Sequence, residues 1–433
     1  MQRLRPRAPE ADEHPASWYL ATARDVTGYP PLEESVSADV CVVGAGYTGL
    51  SAALHLAGRG YSVIVLEAHK VGWGASGRNG GQMGTGQRRE ESELEARFGE
   101  DIARQLFRLG VAGRDLVKDL VRRHDIDCDL TPGQILCASK PAHFPGLEER
   151  AIRLSRAYGY QEQSVLGRQE LRTIVDSPLY HGGVMDSGAA HLHPLNYALG
   201  LARACVAAGV HIHESSRVTG YSGSGPVVVR TDRGEIRAQY LVLGCNAYLE
   251  GLEPGIADRI MPINNYLLAT APLGPQASRL IADPACVHDT FFVVNYFRLS
   301  RDGRLIFGGG ETYSRQFPAD MKGFVRRHML RVFPQLESAS IEYAWGGTLA
   351  ISMNRLPHFG RLAPNVYFAH GYSGHGVSTA TLAGQLIAEA VAGTAERFDV
   401  FAGLPPPRFP GGTLLRWPGL VLGMLWFALR DRL

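Results

Sequence analysis

The stretch Asp39-Val-Cys-Val-Val-Gly-Ala-Gly-Tyr-Thr-Gly-Leu50 decides the fold. An apolar, β-branched run enters a Gly44-x-Gly46-x-x-Gly49 turn, and Leu50 to Arg59 continues as an Ala/Leu-rich helix that Gly58 and Gly60 can stop. Gly44 permits the tight turn, Gly46 lets the backbone approach a pyrophosphate, and Gly49 lets the helix pack close to the sheet. Phosphates at such a turn sit at the positive end of the helix, beside N–H groups that lack intrahelical partners. Tyr61 to Glu67 then reads as a second strand ending in an acid, about twenty residues after Gly44, placed to accept hydrogen bonds from ribose hydroxyls. A carboxylate there repels a 2′-phosphate. NADP is therefore disfavoured, and NAD and FAD stay open.

The rest of the composition narrows the function class. The chain has 433 residues, 45% of them apolar and 20% charged, as in an ordinary globular protein with room for two or three domain-sized units. A net charge of +2 implies no polyanion partner such as nucleic acid. Only Lys70, Lys118, Lys140 and Lys322 are lysines, so Schiff-base chemistry has few candidates. The six cysteines, at 41, 128, 137, 205, 245 and 286, form no C-x-x-C and no Cys/His cluster of metal-ligand spacing, which reads as reduced, cytoplasmic and metal-free. Met1 to His14 has no apolar core and reads as a flexible lead-in, not a secretory signal. Near the other end, Leu414 to Leu429 is strongly apolar, but its uncharged part from Pro418 is shorter than the roughly twenty residues a bilayer requires. Two expectations remain for it: a helix docked on the body or on a partner subunit, and a helix in a membrane interface giving peripheral membrane association.

Along the chain, Val71 to Gly86 is a glycine-dense loop, and Glu90 to Arg123 reads as one or two charged amphipathic helices. Gly133 to Ala138 and Gly182 to Met185 read as short strands around a helical stretch from Gly146 to Tyr158. Asn196 to Ala208 reads as a helix, and strands are expected at 210–214, 226–230, 235–237 and 240–244. From Arg259 the texture changes: Ile260 to Thr270, Thr290 to Leu299 and Arg304 to Gly308 alternate apolar and polar residues, as antiparallel strands with one wet face do. Glycine-rich α/β sequence returns from Trp345 to Gly393. The expected architecture is α/β, a Rossmann-like FAD-binding domain with an inserted, mostly antiparallel α+β substrate domain. In segments, 1–38 is the lead-in, 39–90, 181–257 and 345–400 build the nucleotide domain, 91–180 and 258–344 the substrate domain, and 401–433 an apolar tail. Ligands are expected between the two domains.

The loop after Glu67 separates FAD from NAD. In Gly74-Ala-Ser-Gly-Arg-Asn-Gly-Gly-Gln82 small residues let the chain pass near a large flat ligand, while Arg78 and Asn79 add directed polar groups. Together with the first turn, this run resembles the FAD-dependent D-amino acid oxidase superfamily, and within it the branch acting on gamma-glutamylputrescine. The similarity extends to Gly346 to Gly360, to Gly371-Tyr-Ser-Gly-His-Gly-Val-Ser378, and over nearly the whole chain, from Ser17-Trp-Tyr-Leu-Ala-Thr-Ala to Gly423-Met-Leu-Trp426. The resemblance implies that Gly44, Ala45, Gly46, Tyr47, Thr48 and Gly49 hold the pyrophosphate and that Glu67 and Ala68 meet the adenosine ribose. It further implies that Gly74, Ala75, Ser76, Arg78, Asn79, Gly81 and Gln82 line the flavin and that the backbone near Val218 meets the adenine. Gly374, His375, Gly376, Val377 and Ser378 would open a helix aimed at the flavin pyrimidine edge. A helix N-terminus there stabilises the negative charge that reduction leaves, and His375 adds to this if protonated. No cysteine follows Cys286, so the covalent attachment that some relatives make in the C-terminal part is absent and noncovalent FAD is expected.

There is no second G-x-G-x-x-G after a strand, so electrons leave to O2 or a carrier protein instead of arriving from nicotinamide. The leading expectation is an enzyme that oxidises the C–N bond of a gamma-glutamylated or simple polyamine to an imine, hydrolysed to aldehyde and ammonia, with O2 reduced to H2O2. Alternatives are an amino acid dehydrogenase feeding a quinone and a non-enzymatic flavin-binding subunit. Phe291, Phe292, Tyr296 and Phe297 are candidate apolar walls, Arg298 and Arg355 candidate carboxylate anchors, and His375, Tyr296 and Arg298 the candidate catalytic positions.

Overall fold

A computed structural model describes residues 13–223, 225–249, 251–312, 316–413 and 416. The expected apolar helix at 414–429 lies, but for Arg416, outside the described residues.

Two sheets divide the molecule. In the eight-stranded sheet the order His358–Ala363, Val366–His370, Glu235–Leu243, Ser35–Val43, Val63–Leu66, His211–His213 places the strand of the opening motif in the interior. The four pairings from Val366–His370 across to His211–His213 are all parallel. That burial explains the sequence: Val40, Cys41, Val42 and Val43 are covered on both faces and so are continuously apolar. Helices Tyr47–Ala57 and Gly376–Val391 cover one face together. The nine-stranded sheet runs Ile341–Ser352, Ile260–Thr270, Leu305–Thr312, Tyr296–Leu299, Cys286–Asp289, Thr131–Cys137, Gly182–His191, Gln82–Met83. Its pairings are antiparallel except Cys286–Asp289 with Thr131–Cys137. The α/β architecture with a mostly antiparallel second unit is therefore present.

The details differ from the sequence reading in four places. Gly182–His191 and Ile341–Ser352 run in the second sheet, so the segments 181–257 and 345–400 each begin with residues of the substrate unit. The strands expected at 235–237 and 240–244 are one strand, Glu235–Leu243, whose first half alternates buried Ile236 and Ala238 with exposed neighbours. Thr290 to Leu299 is not one strand: the Asp289 carboxylate accepts the N–H groups of Phe291 and Asn295 and folds 290–295 into a loop before Tyr296–Leu299. Ile260–Thr270 has no wet face. Helix Met321–Val332 contributes Val325 and Met329 to the cluster that buries Leu268, while Leu267 and Ala269 belong to the core on the nucleotide side.

Candidate active site

Between the sheets lies a cavity of about 1460 Å³. Its nucleotide end is made by the opening turn. Gly44 sits at φ +102°, where a side chain would be strained, and its N–H donates to the Leu66 carbonyl at 2.8 Å. A Cβ on Gly49 would lie 1.8 Å from the Gly44 carbonyl oxygen, so only glycine brings the helix this close to the turn. Gly44, Gly46, Tyr47 and Thr48 reach the cavity wall, whereas Ala45 and Gly49 lie behind it and shape the turn. Glu67 stands in the wall with Ala68; its carboxylate accepts the N–H of Ala45 at 2.7 Å and of His69 at 3.0 Å. Burial raises its pKa and these two N–H groups pull against the rise, leaving further lone pairs for hydroxyl donors. Val218 also faces the cavity.

A second helix N-terminus, that of Gly376–Val391, faces the same space. Its approach requires the bend Gly371, Ser373 and Gly374, all at positive φ. The two helices lock where they cross: Ser51 Oγ donates to the Thr381 carbonyl at 2.6 Å, and a Cβ on Gly384 would lie 2.4 Å from the Ala52 nitrogen. His375 Nδ1 and Ser378 Oγ, both in wall residues, are buried without a hydrogen-bond partner among the described residues. The residues present fit FAD: a glycine cradle that any Cβ would fill, two helix N-termini for its anionic portions, and unsatisfied polar atoms for its ring edge. The condition attached to His375, that it be protonated, is disfavoured by its surroundings. Burial, reinforced by Arg88, drives the His375 pKa down to about 3, so the ring is neutral and lends no positive charge.

The loop from Gly74 to Gln82 divides its labour. Gly74, Ala75, Ser76, Arg78, Asn79 and Gln82 face the cavity. Gly81 does not: a Cβ there would lie 2.0 Å from the Leu192 carbonyl oxygen, so this glycine serves a close chain crossing. Asn79 braces its own loop, donating to Ala75 and Ser76 carbonyls at 3.0 Å each and accepting the Gly81 N–H at 2.7 Å. Arg78 donates to the Trp73 carbonyl at 2.6 Å and lies 4.1 Å over the Trp73 ring. Gln82 donates to the Val287 carbonyl at 2.9 Å and ties the loop to the second sheet.

At the other end, Tyr296, Phe291 and Phe292 line the cavity, and the Tyr296 hydroxyl donates to Asn265 Oδ1. Phe297 does not line it. Neighbouring strand residues face opposite ways, and Phe297 points into the core against Phe333 and Phe307 at 4.9 and 5.6 Å. Arg298 is also displaced from its expected role: it is buried behind the wall, donating to the Gly80 and Leu192 carbonyls at 3.1 and 3.2 Å, and so fixes the flavin-side loop. Arg355 does face the cavity. It holds φ +62°, rare for a non-glycine residue, and its guanidinium lies 5.8 Å over Phe292. Sequence reasoning missed its companions Arg88 and Glu311, also in the wall. Burial first, then Arg88, lowers the Arg355 pKa to about 10, and burial raises that of Glu311. His288 completes this end, held neutral by burial with a pKa of about 3. Among the described residues no group of His, Cys, Asp and Glu could hold a metal ion, and all six cysteines are free thiols. No described helix is long and apolar enough to cross a membrane.

A glycine-turn cradle, two converging helix N-termini and an antiparallel sheet roofing the ligand space define an FAD-dependent oxidoreductase. The chain belongs to the FAD dependent oxidoreductase family DAO, whose profile matches residues 39–390. It is 42% identical over 423 residues to gamma-glutamylputrescine oxidoreductase of Escherichia coli K12, covering 97% of this chain and 99% of that protein. It is 38% identical over 426 residues to the probable oxidoreductase OrdL of Haemophilus influenzae, covering 97% and 98%. Among solved structures, glycine oxidase from Geobacillus kaustophilus superposes with a TM-score of 0.71 at 21% identity, covering 82% of this chain and 95% of that one. This last likeness is one of fold.

Proposed function

We propose that this enzyme oxidises the C–N bond of a gamma-glutamylated amine, gamma-glutamylputrescine or a near relative, to an imine that water hydrolyses to aldehyde and ammonia, with O2 as acceptor. The observation that carries the reading is the pairing of two cavity-facing arginines, Arg88 and Arg355, with the aromatic wall of Phe291, Phe292 and Tyr296. The name of the Escherichia coli relative agrees with it.

Bound FAD supplies the hydride acceptor, and the protein positions the reacting C–H bond. Arg88 and Arg355 hold the substrate carboxylate. The amine must be neutral to release hydride, and the apolar rings of Phe291, Phe292 and Tyr296, which strip water from an ammonium, favour that form. The N-terminus of Gly376–Val391 and the Ser378 hydroxyl face the cavity and would stabilise negative charge on a reduced flavin held there. Attachment of the cofactor is noncovalent in this reading; the one cysteine in the described wall, Cys245, lies beside the Gly44 turn, where its thiol contacts the Val43 carbonyl.

Anaerobic mixing with a panel of amines, following the flavin band near about 450 nm, tests the proposal. Bleaching by gamma-glutamylputrescine that air reverses is the expected result. Bleaching that persists in air makes a carrier protein or quinone the acceptor, and no bleaching by any amine sinks the reading. Acid precipitation should leave the flavin in the supernatant.

A further inference from the structure

We propose that the charged end of the cavity is a receptor for a zwitterionic α-amino acid head group, with Glu311 holding its ammonium while Arg88 and Arg355 hold its carboxylate. The inference rests on the amine-oxidation reading and specifies what the remote end of that substrate must carry.

Three separate segments bring these side chains together: the loop after Gln82–Met83, the strand Leu305–Thr312 and the turn after Ile341–Ser352. Among the described residues, no hydrogen bond or ion pair engages the side chain of Arg88, Arg355 or Glu311. Glu311 and Arg355 are half-buried and Arg88 is exposed toward the cavity, so their charged atoms are open to a ligand. Arg89 is already paired with Glu93 at 2.9 Å and Arg150 with Glu91 at 2.9 Å, which leaves Arg88 and Arg355 as the cations, and Glu311 beside them, for a ligand to meet. A bare carboxylate would engage the arginines alone, whereas a zwitterion gives each sign a partner.

The arrangement also sorts two amines on one molecule. An amine beside Glu311 stays an ammonium, which cannot release hydride from its carbon. Glu311 thus protects the α-carbon of a gamma-glutamyl group and directs oxidation to the distant C–N bond.

The test compares gamma-glutamylputrescine with N-glutarylputrescine, which keeps the carboxylate and lacks the α-ammonium, in the full-length holoenzyme and in Glu311→Gln and Glu311→Asp. A charged hydrogen bond predicts a preference of roughly tenfold to a hundredfold in kcat/KM for the gamma-glutamyl compound in the parent enzyme. That ratio should collapse toward one in Glu311→Gln and be partly kept in Glu311→Asp, with FAD content and melting temperature confirming intact folds. Arg355→Ala should weaken both substrates while preserving the ratio. Equal use of both compounds by the parent enzyme, or an unchanged ratio in Glu311→Gln, overturns the receptor while leaving amine oxidation standing. Failure of both compounds to bleach the flavin overturns the two together.

Discussion

At the nucleotide end the cavity is walled mostly by backbone: Gly44, Gly46, Gly74 and Gly374 present peptide groups, and two helices aim their first turns inward. At the charged end the wall is side chains, with Arg88, Arg355 and Glu311 arriving from segments far apart in sequence. A backbone wall needs residues that are absent, in the sense that a Cβ would fill the space. A side-chain wall needs particular groups at particular positions, and it can change its ligand without disturbing the frame.

The largest effect should come from adding a side chain where the backbone wall forbids one. Gly49→Val should cost about 3 kcal/mol or more and abolish FAD retention, read as melting temperature and flavin absorbance per chain, because the added Cβ meets the Gly44 carbonyl. A stable, yellow Gly49→Val protein would erase the contrast. The two arginines test it at the other end. Arg355→Ala should raise KM roughly thirtyfold with a normal flavin spectrum, whereas Arg298→Ala should lower the melting temperature by losing its bonds to Gly80 and Leu192 without raising KM. A reversed outcome returns the anchor to Arg298.

The narrowest effect is electrostatic, confined to one pH window and to Asp289 in the cavity wall. Burial raises the Asp289 pKa from 3.8 to about 7 in the folded chain, so between those values the folded state holds a proton that the unfolded state has released. The contribution to stability therefore falls as pH rises from about 4 to about 7 and is flat below and above. Asp289→Asn should flatten the melting temperature across that window; an undiminished slope assigns it to other groups.

The same contrast explains what the sequence disclosed. The turn end was legible in its geometry because that geometry is written in spacing: three glycines and a small-residue loop mark where the chain bends and crosses closely, and the structure brings them to one cavity with Glu67. Many of the strands and helices around it followed from periodicity; Thr290 to Leu299 did not, because Asp289 captures backbone N–H groups that a strand would have paired. The charged end was legible only in Arg355, since forty arginines offer no spacing that marks Arg88 as a cavity residue and Arg298 as a brace. One signal was available and went unused. Side chains alternate along a strand, so Tyr296 and Phe297 could not both face the ligand.

The helix crossing at Gly384 has a consequence for the order in which the chain becomes an enzyme. Ser51 meets Thr381 across 330 residues of sequence, so the helix that opens at the first glycine turn is packed by a segment remote from it in the chain. A chain under synthesis carries its glycine turn early, but the part of the cavity wall from Tyr372 to Ala380 joins it only late.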